Sequence, residues 1–177
     1  MHVEAGRLVR DFAHILATSL GGSVVEEPAN LSPQSPVFRA LIPGRFGAIQ
    51  LLAYSRTLQF FTKEARSPKS LSNRSDSFIV IGVEELEVSP LTFEVFSCRV
   101  LLAVVTMRPS GGIWDLPEYT LGQSITTAAY TLVGPAAYYV SVKENPNPGE
   151  VTDYVTQRYD LEILFEVSSL YPYKGGS

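Results

Sequence analysis

The sequence predicts an α+β fold. Its sheet is mostly antiparallel or mixed, packed by an N-terminal amphipathic helix and a second helix at 115–133. Three observations carry that expectation. Leu8, Val9, Phe12, Ile15, Leu16 and Leu20 recur at helical spacing. The second half reads strand, strand, helix, strand, strand, at 78–83, 93–105, 115–133, 137–142 and 154–167. Its last segment alternates cleanly, with Tyr159, Leu161, Ile163, Phe165 and Val167 facing one way and Arg158, Asp160, Glu162 and Glu166 the other. Such alternation marks a half-buried antiparallel strand.

On the first helix Arg7, Arg10, Asp11 and His14 take most of the opposite face. Gly21-Gly22 supplies the stop, because glycine enters the left-handed conformation that ends helices. Residues 28–36 are rich in Pro, Ser and Asn and read as an exposed loop. Residues 37–42 suit a strand ended by Pro43-Gly44. In 48–62 the apolar residues Ile49, Leu51, Leu52, Leu58, Phe60 and Phe61 fit neither period, and the interruption at 54–57 favours two short strands over one helix. Residues 63–76 place Lys63, Arg66, Lys69 and Arg74 among serines, with Leu71 the one large apolar side chain, as expected of a mobile surface loop.

Phe78, Ile79, Val80, Ile81 and Val83 are too continuous for a strand with one wet face, which predicts cover on both sides. Residues 84–90 read as a connector. From Phe93 onward, Phe96, Cys98, Val100, Leu102 and Val104 share one face; the other passes from Glu94 and Arg99 to Leu101 and Val105. This strand is therefore expected to run past the edge of its own domain, half exposed and half covered. Asp115 before Leu116, Pro117 and Glu118 is a capping-box pattern with proline in the first turn. Leu121, Ile125, Ala128, Ala129 and Leu132 then form a narrow stripe that ends at Gly134-Pro135. The face holding Thr120, Gln123, Thr127 and Thr131 is uncharged, open to solvent or to another subunit. Residues 145–149 form a turn with a flexible tip, and 170–177 a loose tail.

A chain of 177 residues fits one domain at 1–177, with an insertion or an extra hairpin at about 25–76. Nine Tyr and nine Phe against two Met suit a β-rich core. A net charge of -4 gives no general affinity for nucleic acid. Charges throughout the first 20 residues break up the apolar core a secretory signal needs, and no apolar run reaches the ~20 residues that span a bilayer. The expectation is a protein made in the cytoplasm, staying soluble, with no membrane partner.

No motif for chemistry emerges, so the expectation is a protein that is not an enzyme, with no catalytic, cofactor or metal residues. Cys98, the only cysteine, sits between apolar neighbours on a strand and reads as a buried structural thiol. His2 and His14 read as solvated, and the pairs Glu26/Glu27 and Glu84/Glu85 as loop or strand-end charges. Gly44-Arg45-Phe46-Gly47 lacks the lysine and following helix of a phosphate loop. Lys63, Arg66, Lys69 and Arg74 read first as solvated; their functional reading is contact with DNA phosphates or an acidic partner surface.

The succession of a helix at 3–20, strands at 78–83 and 93–107, a helix at 115–133 and strands at 137–143 and 154–167 resembles the tail terminator (tail completion) proteins of long-tailed bacteriophages. The resemblance covers about two thirds of the chain and rests on element order rather than on a motif. Residues 25–76 depart from it, since that family needs only a short link there. The resemblance implies a non-catalytic, hexameric ring in the virion, at the tail or neck. Its partners would be further copies of itself, the tail tube protein and the head-connector protein, with non-specific contact to passing DNA. Subunit contacts would fall near Thr127 and on the upper half of the 93–107 strand. The loops at 63–74 and 145–149 would face the lumen, the tube or the connector. Another neck or capsid-cement protein suits the same elements. A small-ligand-binding domain or enzyme is the reading of a different class; its basis is Tyr138, Tyr139, Tyr154 and Tyr159, which would line a pocket.

Overall fold

Helix α1, His2–Ser19, ends as its glycines require. Gly21 takes φ 73°. The Gly22 N–H donates to the Ala17 carbonyl at 2.7 Å and the Gly21 N–H to the Thr18 carbonyl at 3.1 Å, the paired bonds of a Schellman cap. This computed structural model describes residues 2–26, 36–44, 48–55, 77–109, 118–132, 139–145 and 154–168. The remaining elements are β1 Ser23–Glu26, β2 Phe38–Pro43, β3 Ala48–Ala53, β4 Ser77–Pro90, β5 Val95–Pro109, α2 Glu118–Thr131, β6 Tyr139–Asn145 and β7 Tyr154–Ser168.

The strands form one seven-stranded sheet in the order β1-β2-β3-β4-β5-β7-β6. Every neighbouring pair is antiparallel except β3 and β4, which run parallel from Ile49 opposite Ser77 to Ala53 opposite Ile81. The architecture is α+β with a mixed, mostly antiparallel sheet. Among the described residues of 25–76 are the end of the terminal strand β1 and the antiparallel pair β2–β3. The first of the two strands expected in 48–62 is β3; the second lies outside the described residues, as do the loops at 28–35 and 63–76, the capping residues 115–117, the turn tip at 146–149 and the tail at 170–177.

Register puts one apolar set on one face of the sheet. Ala40 lies opposite Leu51, Leu51 opposite Ile79, Ile81 opposite Val104, Leu102 opposite Leu161, and Cys98 opposite Phe165. Together with Leu8, Phe12 and Leu16 of α1 and Leu121, Ile125 and Ala129 of α2, these residues form one buried cluster. Both helices therefore cover the same face, α1 over β2 to β4 and α2 beside β6, touching each other. Cys98 is buried there, as its neighbours predict. Asp11, expected on the wet face of α1, is buried instead. A helix laid flat on a broad sheet and touching a second helix covers more than its apolar stripe. His14 is exposed, its ring edge-on to Phe38 with centroids 5.7 Å apart.

The opposite face divides in two. Leu52, Phe78, Val80, Ala103, Val105 and Met107 are buried on it, so the 78–83 run is covered on both sides. Beyond Val83 the same face turns polar. Residues 84–90, expected as a connector, are strand: β4 continues to Pro90, pairing Glu87 with Arg99 and Pro90 with Phe96. The correction has a physical cause. Glu85, Glu87 and Ser89 alternate with Leu86 and Val88, and a bulge at Glu84 resets the alternation after Val83. Among the described residues no helix is long and apolar enough to cross a membrane.

Candidate functional site

Three surfaces stand out among the described residues of this frame. The first is an open cleft of about 920 Å³ between α2 and the β6–β7 pair. Its helix wall carries Gln123, Ser124 and Thr127, and its sheet wall Glu144, Gln157 and Tyr159. The Gln157 amide donates to Glu144 Oε1 at 2.6 Å across the two strands. A β-carbon at Gly122 would lie 3.5 Å from the Tyr159 hydroxyl, an ordinary contact distance, so the tyrosine ring lies close against α2 at the floor of the cleft.

The uncharged helix face predicted from sequence thus divides. Gln123 and Thr127 are exposed and line the cleft. Thr131 is exposed one turn further on, and its hydroxyl donates to the Thr127 carbonyl at 2.7 Å. Thr126 does the same to Gly122 at 2.9 Å. Thr120 lies in the first turn of α2, its side chain outside the described residues. Lys63, Arg66, Lys69 and Arg74 also fall outside them.

The second surface is a ladder of ion pairs on the sheet face away from the helices. Nε and Nη2 of Arg99 both donate to Oε2 of Glu162, at 2.8 and 2.7 Å. Glu87 lies 3.5 Å and Glu85 4.0 Å from the same guanidinium. Arg158 pairs with Glu84 from the bulge, and with Asp160 at 2.6 Å. Arg158 was expected on a wet face and is 9% exposed. It sits opposite Val105, at the border where the apolar half of the face begins, and its stem is covered there. Glu84 and Glu85, read as strand-end charges, are part of this ladder. Alternation showed which side chains share a face of one strand, but pairing Glu87, Arg99 and Glu162 needs the register of three strands separated widely in sequence.

The hydrogen bond between the Glu85 and Glu87 carboxyls, then desolvation, raises the Glu85 pKa above its ordinary 4.5; Arg99 pulls the other way. The bond to Glu162 holds Arg99 charged more firmly than usual. A carboxyl with a raised folded value contributes stability that is present below its ordinary value of 4.5 and is lost as pH rises through the higher folded value. Glu85→Gln keeps a hydrogen-bonding amide and removes the titration. Its unfolding midpoint in urea, followed from acid to neutral pH, is expected to fall less over that window than that of the wild-type chain. An unchanged profile would mean that Glu85 titrates alike in both states.

The third surface is the β4–β5 tip, where Leu91 and Phe93 are exposed. Sequence reasoning placed Phe93 at the start of a strand and missed it, because an aromatic there reads as core. Of the four tyrosines proposed for a pocket, Tyr159 lines the cleft and Tyr139 is exposed; the side chains of Tyr138 and Tyr154 lie outside the described residues. Among the described residues no group of three His, Cys, Asp or Glu side chains is placed to hold a metal ion. Comparison with protein-family models and with curated proteins finds no match for this chain.

Proposed function

We propose that this chain is a structural subunit, resembling a phage tail terminator, that assembles into a ring capping a tail tube and joining it to a head connector. The observation that carries the reading is apolar surface left open by a well-packed sheet. Val24, Val25 and Leu41 at one edge of the sheet, Tyr139 at the other, Tyr130 on α2, and Leu91 and Phe93 at the hairpin tip are exposed while the core beneath is closed. Large apolar side chains grouped at the rims of a folded subunit mark contacts with other chains. The succession of helix, β4, β5, α2, β6 and β7 supports the same reading. The test is the solution mass of the full chain by light scattering, with negative-stain imaging. A ring of subunits with a central hole is the expected result. A strict monomer at high concentration, also in the presence of a tail tube protein, would overturn it.

One observation favours a second reading, a domain that binds a small polar ligand. Gln123, Thr127, Glu144, Gln157 and Tyr159 converge on a single cleft, and a concave site with a few converging polar groups is where ligands bind. In that reading the chain stays monomeric, and a screen of small polar compounds by thermal shift finds a ligand whose effect Gln157→Ala abolishes.

A further inference from the structure

We propose that the cleft between α2 and the β6–β7 pair binds a neutral saccharide, held by hydroxyl, amide and carboxylate groups of its two walls. The proposal deepens the second reading, a domain that binds a small polar ligand, and rests on it. Periodicity builds both walls. Gln123 and Thr127 are one helical turn apart on α2 and Ser124 lies beside them, so three uncharged polar side chains share one helix face. On the sheet, Glu144 of β6 lies opposite Tyr159 of β7, which makes Gln157 its diagonal neighbour on the same face. The Gln157 amide donates to Glu144 Oε1 at 2.6 Å, and this holds the two side chains together. That bond uses one carboxylate oxygen and one amide hydrogen. The second carboxylate oxygen, the amide oxygen and the second amide hydrogen can serve a ligand. On the helix wall the Ser124 and Thr127 hydroxyls can each donate or accept. The Thr126 hydroxyl, which donates to the Gly122 carbonyl at 2.9 Å, can still accept.

The walls select the class of ligand. Sites for apolar ligands are lined mostly by hydrophobic and aromatic side chains. Here those are Val142 and Tyr159, and Tyr159 is only 6% exposed. Among the described residues no Lys, Arg or His lines the cleft, and Glu144 is its one charged side chain. An anion such as a nucleotide or a sugar phosphate would meet no cation and one like charge. An amine would meet a carboxylate that is exposed, where an ion pair gains little. A cation over an aromatic face is closed to it as well, because the Tyr159 ring is buried against Gly122. What fits is a neutral molecule dense in hydroxyls with a modest apolar face, which is the chemistry of a saccharide. Its hydroxyls suit groups that both donate and accept, and the C–H face of a sugar ring packs on Val142 and the Tyr159 floor. The volume of about 920 Å³ lies within the range of ligand sites, and the open mouth leaves the ends of a sugar chain in water.

The experiment titrates the full chain with cellobiose, maltose and diacetylchitobiose, read by saturation-transfer and amide-shift NMR. At least one is expected to bind, with the shifts centred on α2, β6 and β7. Thr127→Trp fills the cleft from an exposed position, so it is expected to abolish binding with an unchanged circular dichroism spectrum. Glu144→Gln keeps an acceptor oxygen and is expected to weaken binding about 5-fold, the effect of one hydrogen bond. Saccharide binding that survives Thr127→Trp would overturn this site. Binding of putrescine instead, abolished by Glu144→Gln, or of inorganic phosphate, would overturn the saccharide class and leave the ligand reading standing. A chain to which neither these nor a wider set of small polar compounds bind would overturn both.

Discussion

Phe12→Ala is expected to lower the unfolding free energy by about 3–5 kcal/mol, the range for removing a large aromatic from a closed core. Phe12 is fully buried and belongs to the cluster that joins α1 to the sheet. Its loss removes the transfer free energy of the ring and leaves a void that α1, held at its end by the Gly21-Gly22 cap, is poorly placed to fill. In a chain of this size each kcal/mol moves the midpoint by about 2–4 °C, so Tm is expected to drop by roughly 10 °C. Scanning calorimetry or a urea titration checks this. Phe93→Ala is the control: an almost fully exposed ring should change stability by no more than about 0.5 kcal/mol. A loss below about 1 kcal/mol for Phe12→Ala would mean that α1 does not pack on the sheet as described.

Gly22→Val is expected to cost about 3 kcal/mol, the upper part of the range for overpacking. A β-carbon at Gly22 would stand 2.5 Å from Ile42 Cδ1, 3.0 Å from the Ala17 carbonyl oxygen and 3.2 Å from the Leu41 carbonyl oxygen. The isoleucine methyl can swing away, but the two carbonyl oxygens belong to the last turn of α1 and to β2. Either the helix or the strand must shift, and the bond from Gly22 to Ala17 goes with it. Gly21→Ala separates crowding from backbone conformation. Its φ of 73° disfavours a side chain, yet its nearest neighbour would be Pro43 Cγ at 3.8 Å. The alanine is therefore expected to cost only about 1–2 kcal/mol. Equal losses at the two glycines would count against a steric role for Gly22.

Much of the fold was legible because its signals are local. Leu8, Phe12 and Leu16 are buried at the positions their spacing marks, and so are Leu121, Ile125 and Ala129. Tyr159, Leu161, Ile163 and Phe165 are buried as strand alternation requires. The 84–90 extension was obscured because its charges resemble a linker, while its β-character depends on pairing with 96–101 across a hairpin. For the candidate site, the uncharged face of α2 pointed to Gln123 and Thr127. Nothing local pointed to Glu144 or Gln157 on the far wall, since a cleft exists only between elements.

By itself the sequence determined the periods, the helix stop at Gly21-Gly22, the burial of Cys98 and the one-sided character of the last strand. Each depends on residues within a few positions of one another. The tertiary structure alone decided the parallel pairing of β3 with β4, the burial of Asp11 and Arg158, the Glu87–Arg99–Glu162 ladder and the exposure of Phe93. These depend on register and on which surfaces the packed elements leave open. Both are set by contacts between residues far apart in the chain, whose free energies appear only once the whole sheet has formed.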